Sequence, residues 1–262
     1  FDYDDFAPQF NDAVKQWNPD SWAQLFETIG ARYVVLITKH HDGFTLWPSK
    51  FPCPRKPNYF TERDLVGDIT NAVRDHGMKM GLYYSGGLDW AFNEARIEKS
   101  EDVWQTIVEE PEFVEYSVAH FKELIDRYQP SIMWNDIGFP DSADLAELFA
   151  YYYNHVNDGV INDRFTQRRV RSTQRENLHA NPKVPHYDFV TPEYTSFDEI
   201  QETKWETCRG IGNSFGYNLN EGDEQLLALD ELVHMFVDIV SKNGNLLLNV
   251  GPMADGTIPE NQ

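Results

Sequence analysis

Ser131-Ile132-Met133-Trp134-Asn135-Asp136 is a short apolar run that ends abruptly in an amide and a carboxylate. A run of this kind, bounded by loop residues, reads as a buried parallel strand. A carboxylate at its last position faces the crevice at the strand's C-terminal end, where α/β barrels put their chemistry. The pattern repeats along the chain. Residues 33–38 end in Lys39-His40-His41-Asp42, and residues 78–82 end in Tyr83-Tyr84-Ser85. Residues 159–161 end in Asn162-Asp163-Arg164, and residues 187–190 end in Thr191-Pro192-Glu193. Several strands that end in polar groups are what one shared site requires.

Helix signals fall between these strands. Residues 19–30 carry Trp22, Leu25, Phe26 and Ile29 at spacings of three and four and close on Gly30. Residues 62–76 close on Gly77. Residues 111–128 open with Pro111, which suits a first turn, and carry the stripe Val114, Val118, Phe121, Ile125 and Tyr128. Residues 142–156 are helical with Ser142 as the expected N-cap. Residues 224–242 place Leu226, Leu229, Val233, Phe236, Val237 and Val240 on one face. Two more strands are expected at 205–211 and 245–252. Alternating strands and helices imply an α/β fold with a parallel sheet. The length of 262 residues suits one (β/α)8-type TIM barrel, which takes about 250. We therefore expect one domain over residues 1–262. Seven strands are visible where a closed barrel has eight, so the barrel is expected to be incomplete, with its first strand missing. Residues 1–16 hold Asp2, Asp4, Asp5 and Asp12 and read as loop. Residues 167–183 form a basic, patternless stretch, with Arg168, Arg169, Arg171 and Arg175, that reads as an insertion.

A net charge of −21 argues against nucleic acid and anionic membrane surfaces as partners. Aromatic residues make up 14% of the chain, with seven Trp, which suits a large core or a carbohydrate site, and composition alone favours the core. Cys53 and Cys208 stand alone, so neither a disulfide nor a zinc site is marked. No run approaches the roughly 18 apolar residues of a membrane span, no signal peptide is visible, and localisation stays open.

Asp136 and Glu193 close different strands. Two carboxylates facing across a pocket are what glycoside hydrolysis needs, one to attack or hold water and one to protonate the leaving oxygen. The same pattern also suits a cap or a surface ion pair, and spacing alone does not separate the readings. His40 and His41 suit donors to sugar hydroxyls, metal ligands, or one buried and one exposed structural residue. A metal site would gather further ligands on other strands. The other strand ends offer Tyr, Asn-Asp, Asn-Asp-Arg and Glu, which do not favour it, so no metal or cofactor is expected. Arg164 would keep a neighbouring carboxylate ionised, or simply pair with Asp163. Trp134 stands two residues before Asp136 on the same strand face and can floor a pocket. Without that carboxylate it reads as core.

Six blocks in order resemble the retaining α-L-fucosidases of glycoside hydrolase family twenty-nine. They are Lys39-His40-His41-Asp42-Gly43-Phe44, Trp134-Asn135-Asp136, Asn162-Asp163-Arg164, Thr191-Pro192-Glu193-Tyr194, residues 210–218 (GIGNSFGYN) and residues 244–252 (GNLLLNVGP). The resemblance runs from about Asp5 to the end. It implies an α/β barrel and a double-displacement reaction on fucosylated glycans. It makes Asp136 the nucleophile and Glu193 the acid/base, and it lines the fucose pocket with His40, His41, Tyr83, Trp134, Arg164 and Phe215. The family pattern also has a first strand ending in a His-Trp-Gly type motif and a C-terminal β-sandwich, and this sequence contains neither. Glu176, in the basic stretch, rivals Glu193 as acid/base. Glu193 is preferred because it ends a strand.

Two other functions compete with a fucosidase: a non-catalytic barrel that binds fucosylated glycans, and a metal-dependent hydrolase using His40 and His41. A barrel one strand short leaves unpaired edges, so self-association into a homo-oligomer is expected.

Overall fold

In a computed structural model of the chain, residues 2–99, 102–167 and 184–262 are described. The chain divides into two compact units, Phe1–Tyr187 and Asp188–Gln262. Seven strands form among the described residues, each where the sequence marks one.

The first unit holds β1 (Tyr33–Lys39), β2 (Lys79–Ser85), β3 (Ile132–Asp136) and β4 (Val160–Ile161). They pair in that order and every pair is parallel. Helices connect them: α2 (Pro19–Thr28) precedes β1, α3 (Leu65–Asp75) precedes β2, α5 (Pro111–Tyr128) precedes β3 and α6 (Leu145–His155) precedes β4. A short α4 (Val103–Thr106) was not marked by any sequence period. Each helix start has a local cause. The Asn18 side chain accepts from the Asp20 N–H with Pro19 in the first turn, and Asp64 accepts from Gly67. The cap of α6 is Asp144, which accepts from Glu147, rather than the expected Ser142.

The sheet's two faces divide the labour. Met80, Leu82, Tyr84 and Met133 point to one face and join Val66, Ile69, Val73, Phe121, Leu124 and Ile125 in the main core. Tyr83 pairs with Trp134 and Ser85 with Asp136 on the alternate positions. With a side-chain period of two, those residues belong to the opposite face. Helix α5 buries more than the expected stripe, adding Phe113, Tyr116, His120, Glu123 and Leu124.

Residues 3–16 are helical, which corrects the loop reading. A 3-10 turn (Tyr3–Asp5) leads into α1 (Phe6–Ala13) and a second turn (Val14–Gln16). The acids that suggested a loop make the helix start: Asp2 and Asp5 form a reciprocal capping box. Helix α1 then docks through Asn11, which bonds the Phe60 carbonyl and the Glu62 N–H, and through Phe10 against Phe44 at 5.4 Å. The expected insertion at 167–183 lies, apart from Gln167, outside the described residues, and Glu176 lies there too.

The second unit holds β5 (Phe189–Val190), β6 (Lys204–Gly210) and β7 (Gly244–Asn249), again all parallel, with α7 (Leu229–Ser241) between β6 and β7. The expected helix over 224–242 starts at Leu229 and is preceded by a 3-10 turn (Asp223–Gln225). Trp205 and Ile239 are fully buried, and the Trp205 indole donates to the Lys242 carbonyl. Among the described residues no helix is long and apolar enough to cross a membrane.

Candidate active site

The site grows from the C-terminal ends of β1, β2 and β3. Strand β1 carries a bulge near its end: Ile37 pairs with Tyr83, but Lys39, two residues on, pairs with Tyr84. The extra residue, Thr38, donates its hydroxyl to the Tyr83 carbonyl at 2.7 Å. Beyond the bulge, His40 and His41 stack on each other at 3.9 Å between ring centroids. His40 also stacks on Tyr83 at 5.7 Å, and Tyr83 stacks on Trp134 at 5.4 Å. The Arg164 guanidinium lies 4.6 Å over the Trp134 ring. These side chains form a row of near-parallel planes. Asp136 sits against it, accepting from the Tyr83 hydroxyl at 2.8 Å on one oxygen and from Arg164 Nη1 at 2.9 Å on the other.

The electrostatics follow from this packing. Burial alone would raise the Asp136 carboxyl. The Arg164 charge and hydrogen bond, the Tyr83 hydroxyl and the Ile137 N–H outweigh it and hold the group below its ordinary range. Asp136 is therefore ionised at neutral pH. Desolvation lowers both imidazoles. It dominates over the Asp136 charge at His40, although that side chain keeps an edge open to solvent, and it takes His41 to about 3 with help from His40. Both rings are neutral at pH 7, each with one donor and one acceptor nitrogen. His41 Nε2 is buried with no hydrogen-bond partner among the described residues.

Sequence reasoning missed the groups beneath this row. Lys39 and Asp89 form an ion pair at 3.1 Å, and both side chains have no exposed surface. Lys39 also lies 4.7 Å from the Tyr84 ring centre. The Trp90 N–H donates to the His41 carbonyl at 2.7 Å. Gly43 has φ +85°, and a Cβ there would stand 2.6 Å from an Asp89 oxygen. The loop after β2 is thus fastened to the histidine turn. The signal that could have found Lys39 is a lysine at the last position of a buried strand, which must have a partner. Its partner lies fifty residues on, beyond any local pattern.

Six of the eight expected residues, His40, His41, Tyr83, Trp134, Asp136 and Arg164, come together in the first unit. Glu193 and Phe215 belong to the second. Glu193 follows β5, pairs in parallel with Cys208 on β6, and has an exposed side chain. Its neighbour Tyr194 packs its ring against Phe215 at 5.3 Å, and Phe215 is 38% exposed. Among the described residues no group of three His, Cys, Asp or Glu side chains is placed to hold a metal ion.

Known proteins resemble the chain over its length. The alpha-L-fucosidase family model matches residues 1–262. Tissue alpha-L-fucosidase of Rattus norvegicus is 33% identical over 98% of this chain and 54% of its own length. Plasma alpha-L-fucosidase of Homo sapiens is 33% identical over 98% of this chain and 53% of its own. Among solved structures, Thermotoga maritima alpha-fucosidase superposes with a TM-score of 0.86 at 44% identity, covering 99% of this chain and 56% of the other. The same enzyme has been solved with a mechanism-based inhibitor (TM-score 0.85, 45% identity, with the same coverage). The chain thus spans about half the length of the relatives it matches. These matches give no support to a metal-dependent hydrolase or a non-catalytic binder. With a family model matched from first residue to last and relatives a third to nearly half identical across it, the chain belongs to the α-L-fucosidase family.

Proposed function

We propose that this chain carries the catalytic site of a retaining exo-glycosidase that removes terminal α-L-fucose from glycans. One observation carries the reading: a carboxylate at the end of β3, held ionised by Arg164 and Tyr83, set against a row of flat side chains. Asp136 attacks the anomeric carbon and forms a glycosyl ester as the leaving oxygen is protonated by the acid/base carboxyl. That group then takes a proton from water, whose oxygen displaces Asp136 and retains configuration. Arg164 and Tyr83 favour the free carboxylate, which makes Asp136 a good leaving group in the second step. Trp134, Tyr83 and His40 offer a sugar ring an apolar floor, and His41 Nε2 offers a hydroxyl a partner.

For the acid/base we propose Glu193, which directly follows a strand, with Glu176 as its rival. The retaining mechanism requires about 5 Å between the two carboxyl groups. We also propose a (β/α)8-type barrel fold, which the alternation of strands and helices and the all-parallel pairing within each sheet support. Self-association is proposed from the apolar side chains that α7 leaves open, Leu229, Val233, Phe236, Val237 and Val240.

Hydrolysis of an aryl α-L-fucoside by the full-length protein, followed by NMR of the first product anomer, is the test. Retained configuration and indifference to a chelator support the reading. Inversion, or chelator-sensitive turnover, overturns it. Glu193→Gly and Glu176→Gly with azide decide the acid/base: the variant that yields fucosyl azide of retained configuration has lost that group.

A further inference from the structure

Asn135 and Asn162 have no part in the chemistry just described, yet neither has any exposed surface. They pair reciprocally across β3 and β4. The Asn135 N–H donates to Asn162 Oδ1 at 3.1 Å, and Asn162 Nδ2 donates to the Asn135 carbonyl at 2.9 Å. Asn135 Nδ2 then donates to two further carbonyls, Gly138 and Arg164, both at 3.0 Å. Both atoms facing it are acceptors, so the amide orientation is fixed by chemistry. Its Oδ1 is left buried without a partner. Any side chain on Gly86 would collide with it. A buried orphan acceptor is costly, so the two donations must be what the position requires.

Those two carbonyls sit at consequential places. Gly138 follows Ile137, whose φ is +62°, a left-handed conformation that a β-branched residue rarely adopts. That turn brings the Ile137 N–H to the Asp136 carboxylate. The Arg164 carbonyl belongs to the residue whose guanidinium pairs with Asp136. One amide therefore ties the backbone on both sides of the Asp136–Arg164 pair.

We infer that Asn135, braced by Asn162, is a positioning residue that fixes Arg164 and the Ile137 turn against Asp136. An aspartate here would set a carboxylate against two carbonyls and beside Asp136. A leucine would leave both carbonyls unpaired. Among uncharged side chains, only an amide donates twice. The inference rests on the reading of Asp136 as the nucleophile, so its test has an arm that does not need activity.

In the full-length protein, Asn135→Ser and Asn162→Asp are compared with wild type. The kinetic arm follows kcat/KM for an aryl α-L-fucoside against pH, whose acid limb reports the free nucleophile. The second arm titrates the Asp136 carboxyl by ¹³C NMR. Loosening Arg164 should move both upward by about one pH unit, the lower end of what a close opposite charge supplies. Arg164→Gln sets the upper bound. Folded variants that lose rate with the acid limb and the carboxyl titration unmoved would overturn the inference. So would the failure of both variants to fold, which would mark the pair as a folding element. A wild-type protein inactive on fucosides would sink the functional reading while the NMR arm still tested the clamp.

Discussion

Helices α5 and α7 carry the same kind of apolar stripe and meet opposite fates. In α5 most of the face is buried, with Phe113, Phe121, Leu124 and Ile125 almost fully enclosed and Val114 and Val118 partly buried against the core. In α7 only Ile239 is buried, while Leu229 is 77% and Val237 60% exposed. The period of 3.6 sets which side chains share a face and does not say what covers it. In the first unit, a four-stranded sheet and its helices cover each other. The apolar face of α7 is open in this chain, with Leu229, Val233, Phe236, Val237 and Val240 exposed.

The sharpest way to break this contrast is at the site the first unit supports. Asp136→Gly should lower kcat by roughly ten-thousandfold or more. Added azide should restore part of the rate and give fucosyl azide of inverted configuration. A variant with wild-type turnover would remove Asp136 from the mechanism. Next in size is Lys39→Met, which leaves Asp89 buried and unpaired. It should cost about 3–5 kcal/mol, read by denaturant unfolding. A loss below 1 kcal/mol would show that water reaches the pair.

Phe121→Ala and Val237→Ala test the helices directly. The first should cost about 3–5 kcal/mol through the cavity it opens. The second should stay within about 0.5 kcal/mol in dilute monomer. Val237→Glu should instead shift light scattering towards smaller species if α7 is a contact between copies. Scattering that does not change with concentration or with this substitution would end the self-association proposal.

Acid sensitivity is spread over a pH range instead of falling on one substitution. His41 and the fully buried His120 each have a folded-state pKa of about 3, lowered first by burial. The fold favours their neutral forms. That contribution is complete above the unfolded value near 6.5 and is lost as pH falls from there towards 3. His120 alone should give a slope of roughly 1.4 kcal/mol per pH unit in that window. Tm should fall between pH 7 and pH 5, and His120→Gln should flatten the fall. An equal slope in the variant would refute the assignment.

What could be read in the sequence was whatever depends on neighbours. The strands are short apolar runs, and α5 is bounded by Pro111 and a chain reversal at Gln129, so both showed in one dimension. The six candidate residues that meet in the first unit lie near the C-terminal ends of β1 to β4, which local apolar runs mark in the sequence. The helix at residues 6–13 was missed because it continues a 3-10 turn that Asp2 and Asp5 cap, and those acids look loop-like in a row. Asp89, Trp90 and Asn162 were missed because their partners lie about 27 to 50 residues away.

The bulge in β1 is a change of phase. Before it, Ile37 pairs with Tyr83. After it, Lys39 pairs with Tyr84. Had the strand run on unbroken, Lys39 would have met Ser85 on the site face, and His40 would have turned to the core. The surplus residue, Thr38, swaps them. It sends the cation under the sheet to Asp89 and Tyr84 and lifts the imidazole to the ring of Tyr83. One residue of length thus decides which of two adjacent side chains reaches the face that carries Asp136. Drawing Thr38 into the ladder opposite Tyr84 would exchange their places and blank the site while leaving every reactive group in the chain.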